Sequence, residues 1–550
     1  MDRYIDKIQE TSPVFDLVVI GGGISGACVA YEAASRGLSV ALFEKSDFGG
    51  ATSAATSKLI HGGLRYLNYL EFGLVRESLR ERRILEDIAP NLVYPLPFLI
   101  PNYGNLKSNK WIIKAGMLLY DLLSFDKGKT RHESKKLPHH QSLNKSQVLD
   151  IAPMLPAEGL TGGAVYYDCQ SVAPERLTLA FVRSAAAYGA EVSNYSEVVQ
   201  LEQEEGRFRT AIIKDSLNHR EVRVRAQLFV NSGGPWAERI IKKLSGQETA
   251  HSVRMSEGIH LIGPQITRDH ALVMLTPGGR HFFAIPWRGH SLYGTTDKDY
   301  HGSPDDYRVS KESIDEFIQE INSSFGKTIL DYSNIVHAYG GLRPLTDTHT
   351  ESTYKSSRKY EIIDGDDEGL PGLLTVEGGK YTTSRNLAQT TIKAIGKKLG
   401  KTLSRSRTGD ASLVGCDIPG LTDFLSSRKE VYPDFEGNTL HTLATAYGTE
   451  MDKVIGIAKE NPDWGVPLNA DGEILAQVVF AVRQEMAVHL LDVLQRRTGL
   501  GTLGLPDDET LRKIGRTMAQ ELGWSAEQEA REIEIAKTTL SLPFREGAGS

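Results

Sequence analysis

FDLVVIGGGISGACVAYEAASRGLSVALFEK occupies residues 15–45, and its reading decides the fold. FDLVVI (Phe15–Ile20) has the apolar run of a buried strand, bounded by a glycine cluster. GGGISG (Gly21–Gly26) follows at once, ACVAYEAASRG reads as a helix closed by Gly37, and LSVALFEK (Leu38–Lys45) is a second strand ending in an acid. Strand, helix and strand with G-x-G-x-x-G at the first turn form a βαβ dinucleotide-binding unit. There Gly21 permits the tight turn, Gly23 lets backbone approach a pyrophosphate, and Gly26 lets helix and strand pack closely. The helix N-terminus around Ser25 offers free N–H groups and a positive dipole end to phosphates. Glu44 lies 23 residues beyond Gly21, where a carboxylate can bond ribose hydroxyls, with Lys45 beside it.

A chain of 550 residues has room for two or three domains. With 40% hydrophobic and 24% charged residues its composition is that of an ordinary soluble protein. The net charge of −7 gives no support to nucleic-acid binding, so an anion site must come from local cations. Cys28, Cys169 and Cys416 are scattered without a C-x-x-C, which argues against disulfides, zinc or an iron–sulfur cluster and fits a reducing compartment. The start, MDRYIDKIQETSP, is too polar for a signal peptide, and no run of ~20 apolar residues suggests a membrane span.

Beyond the βαβ unit, SDFGGATSAATSKLIHGGLRYL (Ser46–Leu67) is a small-residue loop suited to wrapping backbone around a ligand. A polar helix is expected over about Gly73–Ala89, and the prolines of VYPLPFLIP (Val93–Pro101) suggest an extended edge segment. WIIKAGMLLYDLL (Trp111–Leu123) reads as a short apolar helix of the core or of a domain interface, with a membrane surface as the alternative. His139 and His140 lack further partners at ligand spacing and read as solvated loop residues, so no metal site is expected. PERLTLAFVRSAAAYGAEV (Pro174–Val192) is an amphipathic helix, and EVRVRAQLFVNSGG returns to the buried strand followed by glycine, rejoining the first sheet. Short strands and turns fill His251–Thr296 and resume from Val336 to Asn386. Lys401–Leu413 is polar and linker-like, and the chain beyond Thr439 reads as helices.

The fold expected is therefore α/β, with an FAD-binding Rossmann-like domain interwoven with a β-sheet substrate domain and capped by a helical C-terminal domain. The oxidoreductase region would occupy 1–400, with cofactor segments near 15–90, 160–240 and 336–400 and substrate segments near 91–159 and 241–335. A linker at 401–415 and a helical domain at 416–550 would complete it. FAD is the expected nucleotide because only one fingerprint is present, whereas an enzyme passing hydride between flavin and nicotinamide often carries two.

Two constellations carry chemistry. The cofactor set adds to Gly21, Gly23, Ser25, Gly26, Glu44 and Lys45 the loop residues Thr52, Ser57, Lys58, Leu59, His61 and Gly62. The turn in VEGGKYTTSR supplies Gly379, Lys380 and Thr382, and the helix after it points its N-terminus at the negative edge of a reduced flavin. The cationic set is Arg65 in GGLRY, Arg343 in GGLRP, Arg358 in SSRKY and Lys380 in GGKYT, mostly at glycine turns from which a side chain projects into a cleft. Guanidinium forks suit bidentate phosphate binding, although surface solvation accounts for most basic residues. His260 in EGIHLIG and His61 in LIHGG sit in apolar settings, where a histidine is either a satisfied core residue or a base near working pH. No G-x-S-x-G supports nucleophilic catalysis.

With IGGGISGA, TSKLIHGGLRYL, EFGLVRESLRER, LLYDLL, YYD with RLTLA, GPW, FFAIPWRG with YGTTD, GGLRPL, GGKYTT and DVLQRRTGLG in order from Phe15 to Gly501, the chain resembles the FAD-dependent glycerol-3-phosphate dehydrogenases. Lacking a cysteine-rich tail, it is similar to their aerobic or oxidase branches. The resemblance implies that Arg343, Arg358, Lys380, Arg65 and Tyr66 hold the substrate phosphate, and that His260 and Arg343 lie at the reacting carbon with His260 as base. It implies hydride transfer from C2 of glycerol 3-phosphate to a non-covalent FAD, with electrons passed to quinone, or to oxygen in the oxidase branch. The expected partners are glycerol 3-phosphate, a membrane quinone and a second copy of the chain in a homodimer, with no nucleic acid. The expected location is cytoplasmic, peripheral on the inner face of the cytoplasmic membrane. The chain departs from the family pattern at Ser384, where tyrosine is usual, at Glu257, where a basic residue is common, and in DCQSVAPERL and NSGGPW. An inward-facing Glu257 would weaken phosphate binding. Two other readings stand beside this one: oxidation of another hydroxy acid or an amine, and a flavin-binding regulatory protein without turnover.

Overall fold

Phe15–Ile20 is buried at every position, as a parallel strand covered on both faces must be. It runs parallel to Val40–Phe43 on one side and to Arg220–Asn231 on the other, in register Phe15↔Ala226 and Val18↔Phe229. A computed structural model of the chain describes residues 1–8, 13–104, 110–246, 253–345 and 359–543. Among these, the first sheet continues outward through Glu191–Ser193 beyond Val40–Phe43, and through Leu373–Gly378 and then Tyr360–Asp364 beyond Arg220–Asn231. The helices Ile24–Ser35, Pro174–Ala187 and Ser384–Lys398 cover one face with small and aliphatic residues such as Ala27, Ala30, Leu177, Val182 and Ala388. The other face packs under the hairpin Ser196–Glu204 and Arg207–Asp215.

The second sheet is built largely from antiparallel strands: His281–Trp287 pairs with His290–Gly294, which pairs with Arg254–Gly263, and His337–Leu345 runs along Arg254–Gly263 at the edge of the sheet. Its far end is made by Leu59–Ile60 and Gly162–Gln170, which pair at Ile60↔Cys169. The loop after the first βαβ unit thus leaves one sheet and enters the other, which is how the two become interwoven.

Tyr94–Asn102 corrects an expectation. It is an interior strand, antiparallel to Gly162–Gln170 and parallel to Ala271–Leu275 around Phe98 and Leu99. Pro95, Pro97 and Pro101 all fall on alternate positions, so their missing N–H groups lie along one side of the strand and the ladder on the other side is unbroken.

Helix Lys110–Leu123 has two faces. Met117 and Tyr120 are buried inward, while Ile112, Leu118 and Leu122 are exposed, with Phe125 and Leu70 also exposed. No helix of the described residues is long and apolar enough to cross a membrane. The stretch expected to be a linker is strapped down: Ser406 and Thr408 donate to the Glu32 carboxylate, and Leu413 and Cys416 are buried in the first core.

The C-terminal helices, from Leu421–Val431 to Ala526–Leu540, surround two apolar cores. They are joined to the first domain by buried charge. Arg497 grips Asp47 through two bonds of 2.7 Å, and Arg496, at 2.5 Å from Asp47 and 2.6 Å from Asp492, closes the cluster. The guanidinium of Arg497 beside Asp47 holds that carboxyl far below the usual range despite its burial.

Candidate active site

The glycines of the first turn divide the work as their spacing demands. Gly21 has φ +102°, and a Cβ there would meet the Ser232 carbonyl oxygen at 2.8 Å. At Gly26 a Cβ would stand 1.9 Å from the Gly21 carbonyl oxygen, so helix and strand touch through it. At Gly23 only Ser53 Oγ lies near, at 3.3 Å, and its backbone opens onto a cavity. Ser53 Oγ also accepts the Ile24 N–H at 2.9 Å, fixing the helix start. Glu44 accepts the Gly22 N–H at 2.6 Å and the Ser46 N–H at 2.9 Å, which sets its carboxylate at the cavity wall.

The cavity encloses about 1370 Å³, more than one drug-sized ligand needs at roughly 300–1,000 Å³. It runs from Gly21, Gly23, Ser25, Glu44 and Lys45, past Thr52, Ser57, Leu59 and His61, to Gly379, Lys380 and Thr382. Backbone N–H groups at one end and a second glycine turn with a helix start at the other fit an elongated dinucleotide such as FAD. Lys45 is engaged with Asp305 at 2.8 Å and lies 4.4 Å over the Trp236 ring.

Two groups of expected side chains gather within the cavity. Arg65 donates to the Tyr66 hydroxyl at 3.1 Å, and the Lys380 ammonium lies 4.6 Å over the same ring. Lys380 also donates to the buried Ser78 hydroxyl, and burial lowers its pKa from the ordinary lysine value. His61, half-buried, stands just before this group in the chain. Burial lowers His61 to about 4; Asp168 opposes that shift, while Lys380, Arg65 and Arg82 add to it.

The second group is Arg343, His260 and Ser57. Arg343 Nη2 donates to Thr295 Oγ1 at 2.5 Å, and its guanidinium lies so flat on Gly258 that a Cβ there would stand 1.8 Å from it. His260 is wholly buried, stacked on Tyr339 at 4.8 Å, with Nε2 bonded to Ser57 Oγ at 2.9 Å. Burial first, then Arg343 and Lys58, hold its pKa well below the usual histidine value. The pairing Ser256↔Arg343, Gly258↔Gly341 and His260↔Tyr339 puts these residues on one face of the sheet. By strand alternation Glu257 points to the other face, away from Arg343.

Three expected contacts, Lys58, Gly26 and Gly62, do not line the cavity. Lys58 turns away: its ammonium pairs with Glu175 at 3.0 Å in a buried site and does not reach the cavity. Gly26 and Gly62 line no part of the cavity and act through packing. Arg358 lies outside the described residues. The structure also brings in residues that sequence reasoning missed, notably Ser53, Trp236, His281 and Asp305. Ser53 was signalled only by its small-residue loop and Trp236 and His281 only by the GPW and RHFFAIPWRG stretches, while Asp305 had no signal. Among the described residues no cluster of His, Cys, Asp and Glu stands ready to hold a metal ion.

Residues 16–385 match the family model described as FAD dependent oxidoreductase, and residues 378–529 that of the C-terminal domain of alpha-glycerophosphate oxidase. A glycerol-3-phosphate dehydrogenase of Synechocystis is 35% identical over 551 residues, covering 97% of both chains. The chain belongs to the family of FAD-dependent glycerol-3-phosphate dehydrogenases. The aerobic glycerol-3-phosphate dehydrogenase of Bacillus subtilis is a further relative, 31% identical over 89% of this chain and 88% of its own. The crystal structure of glycerol-3-phosphate dehydrogenase from Bacillus halodurans, complexed with FAD, superposes with a TM-score of 0.77 at 28% identity, covering 98% of this chain and 96% of that one. FAD is the family's cofactor, and the long cavity with its two glycine turns is built to take it.

Proposed function

We propose that this dehydrogenase oxidises sn-glycerol 3-phosphate to dihydroxyacetone phosphate and hands the electrons to a membrane quinone. The observation that carries the reading is the meeting of Arg65, Tyr66 and Lys380 in the same cavity as the nucleotide-binding turn. Two cations and a phenol hydroxyl suit a phosphate dianion, which forms its strongest hydrogen bonds with charged donors. Bound FAD supplies the acceptor for the hydride leaving C2.

The chain's residues would orient the substrate and manage its proton. Arg65 and Lys380 anchor the phosphate, and Arg343, on its sheet face with Gly258, draws on the hydroxyl end. His61 is better placed as base than His260. Both line the cavity, but His260 is wholly buried with its Nε2 bonded to Ser57, whereas His61 is half-buried next to the phosphate anchors. Lowered to about 4, His61 is neutral at working pH and able to accept the hydroxyl proton as hydride departs.

The acceptor reading is supported by helix Lys110–Leu123. Leu118, Leu122 and Phe125 expose an apolar strip suited to a lipid surface, and Ile113 and Met117 of the same helix line the cavity with Ile100 and Phe283. An apolar head group entering there would approach the flavin from the lipid side. FAD is held without a covalent bond, and acid precipitation would release it into the supernatant.

Anaerobic mixing of the FAD-loaded protein with millimolar glycerol 3-phosphate tests the proposal. Loss of the oxidised-flavin absorbance is the expected result, and an unchanged spectrum would overturn it. Re-oxidation by a soluble quinone faster than by oxygen is expected; the reverse order would make the protein an oxidase.

A further inference from the structure

The strand pairing that ends at Ile60↔Cys169 delivers the next residues of both strands to a buried polar knot behind His61. One carboxylate oxygen of Asp168 accepts the Gly62 N–H at 3.2 Å and Arg82 Nη1 at 2.6 Å. The other accepts the Tyr120 hydroxyl at 2.6 Å. Asp168 and Arg82 are each 1% exposed. Arg82 is held in turn by Ser124 Oγ at 3.0 Å and the Tyr167 carbonyl at 3.3 Å. Asp168, Arg82 and Tyr120 come from the strand Gly162–Gln170 and the helices Phe72–Ile88 and Lys110–Leu123. None of the three lines the cavity, so none can touch substrate.

We propose that Asp168, locked by Arg82 and Tyr120, is a positioning residue that fixes the His61–Gly62 turn and so aims the imidazole at the substrate hydroxyl. The inference rests on the role given to His61 above. The turn's other side-chain tether, the His61 N–H to Thr382 Oγ1 at 3.3 Å, is long. At Gly62 a Cβ would come within 2.3 Å of the Tyr120 hydroxyl and 2.4 Å of Leu79 Cδ2, so the turn rests directly on the knot and no larger residue fits. The carboxylate does a second service. It is the nearby anion that opposes the lowering of the His61 pKa by burial and by the cations Lys380, Arg65 and Arg82. A general base aimed from behind by an acid that never meets the substrate is a chemically economical arrangement.

Two variants of the full-length, FAD-loaded protein test this, Tyr120→Phe and Asp168→Asn. Tyr120→Phe keeps the ring and the Arg82–Asp168 pair and removes one bond; Asp168→Asn removes the charge. Hydrogen exchange of the peptide covering residues 59–67 is read beside anaerobic flavin reduction by glycerol 3-phosphate. Tyr120→Phe is expected to exchange about threefold faster in that peptide and to lower the limiting reduction rate about 3- to 10-fold, as a small misplacement of a reacting group does. Asp168→Asn is expected to lower that rate about 10- to 100-fold, within the range of general-base effects, and substrate Kd and FAD content should stay within about twofold. Unchanged exchange and rate in Tyr120→Phe would overturn the proposal, as would equal losses in Kd and rate, which mark a scaffold defect. If Asp168→Asn does not fold, Tyr120→Phe decides alone. Faster exchange in a protein whose wild type is not reduced by glycerol 3-phosphate would sink the substrate assignment while leaving the anchoring of the turn intact.

Discussion

Lys380→Met is the sharpest test of the phosphate site. Methionine keeps the length of the side chain and its packing over Tyr66 but removes the ammonium, now 4.6 Å from the ring centroid and bonded to Ser78. A phosphate bound there would lose one charge-assisted hydrogen bond, worth about 1.5–3 kcal/mol net of the water it replaces. The bare Coulomb attraction, about 4 kcal/mol at 4 Å and an effective dielectric of 20, is the ceiling. The Kd for glycerol 3-phosphate should therefore rise roughly 10- to 150-fold, since each 1.4 kcal/mol is tenfold. Anaerobic stopped-flow gives both numbers, with Kd from the concentration dependence of flavin bleaching and the limiting rate from its plateau. The limiting rate should fall far less than Kd rises, and glycerol, which lacks the phosphate, should respond equally to both proteins. Burial lowers the Lys380 pKa below the ordinary value, so in the wild type affinity should fall as pH rises through that lowered pKa. The variant should lack that alkaline limb. A change in Kd of under about threefold, below the smallest charge-assisted bond, would refute the assignment.

Other outcomes follow from the same geometry. His61→Asn should bind substrate but lower the limiting reduction rate by about 10²- to 10⁴-fold, while His260→Asn, if that ring is a buried support for Ser57, should lower it much less; stopped-flow traces of the two decide between them. Because His61 lies at about 4, wild-type reduction should show no histidine limb between about pH 6 and 8, only the change in affinity from the second ionisation of the substrate phosphate near 6. Asp47→Asn leaves Arg496 and Arg497 one negative charge short and should destabilise the protein by about 3–5 kcal/mol, read from denaturant midpoints. The Asp47 carboxyl is depressed in the folded state, so its stabilisation is present above the unfolded carboxyl pKa and is lost as pH falls through the folded value; the variant's stability should be flatter there. Leu118→Asp with Leu122→Asp should abolish sedimentation with anionic phospholipid vesicles and leave flavin reduction in solution intact.

Much of the cofactor half was legible because its constraints are local. Gly26 is demanded by Gly21, five residues before it, whose carbonyl oxygen a Cβ would meet at 1.9 Å, and Gly21 by its own φ of +102°. Arg220–Asn231 declared itself as a buried strand by its own apolar end. The side of Glu257 was also readable, since period-2 alternation alone separates it from Gly258 and His260. What escaped was set by partners far away in the chain. Lys58 looked like a ligand contact until Glu175, 117 residues on, claimed its ammonium. The prolines of Tyr94–Asn102 suggested an edge because their common side could be recognised only once both neighbouring strands were known. Asp168 carries no motif of its own; its role arises where three elements meet behind Gly62.

The clasp of Asp47 by Arg497 spans 450 residues of chain, and so it has a history as well as a strength. On a ribosome adding about 5–20 residues per second, the acid emerges roughly 20 to 90 s before its cation. Through that interval the loop beneath the nucleotide turn holds a carboxylate that cannot be sealed into an apolar interior without cost. The helical domain is thus the last stitch in the protein's assembly. A nascent chain halted before Arg496 would keep that loop hydrated and open, within reach of proteases that the finished enzyme shuts out.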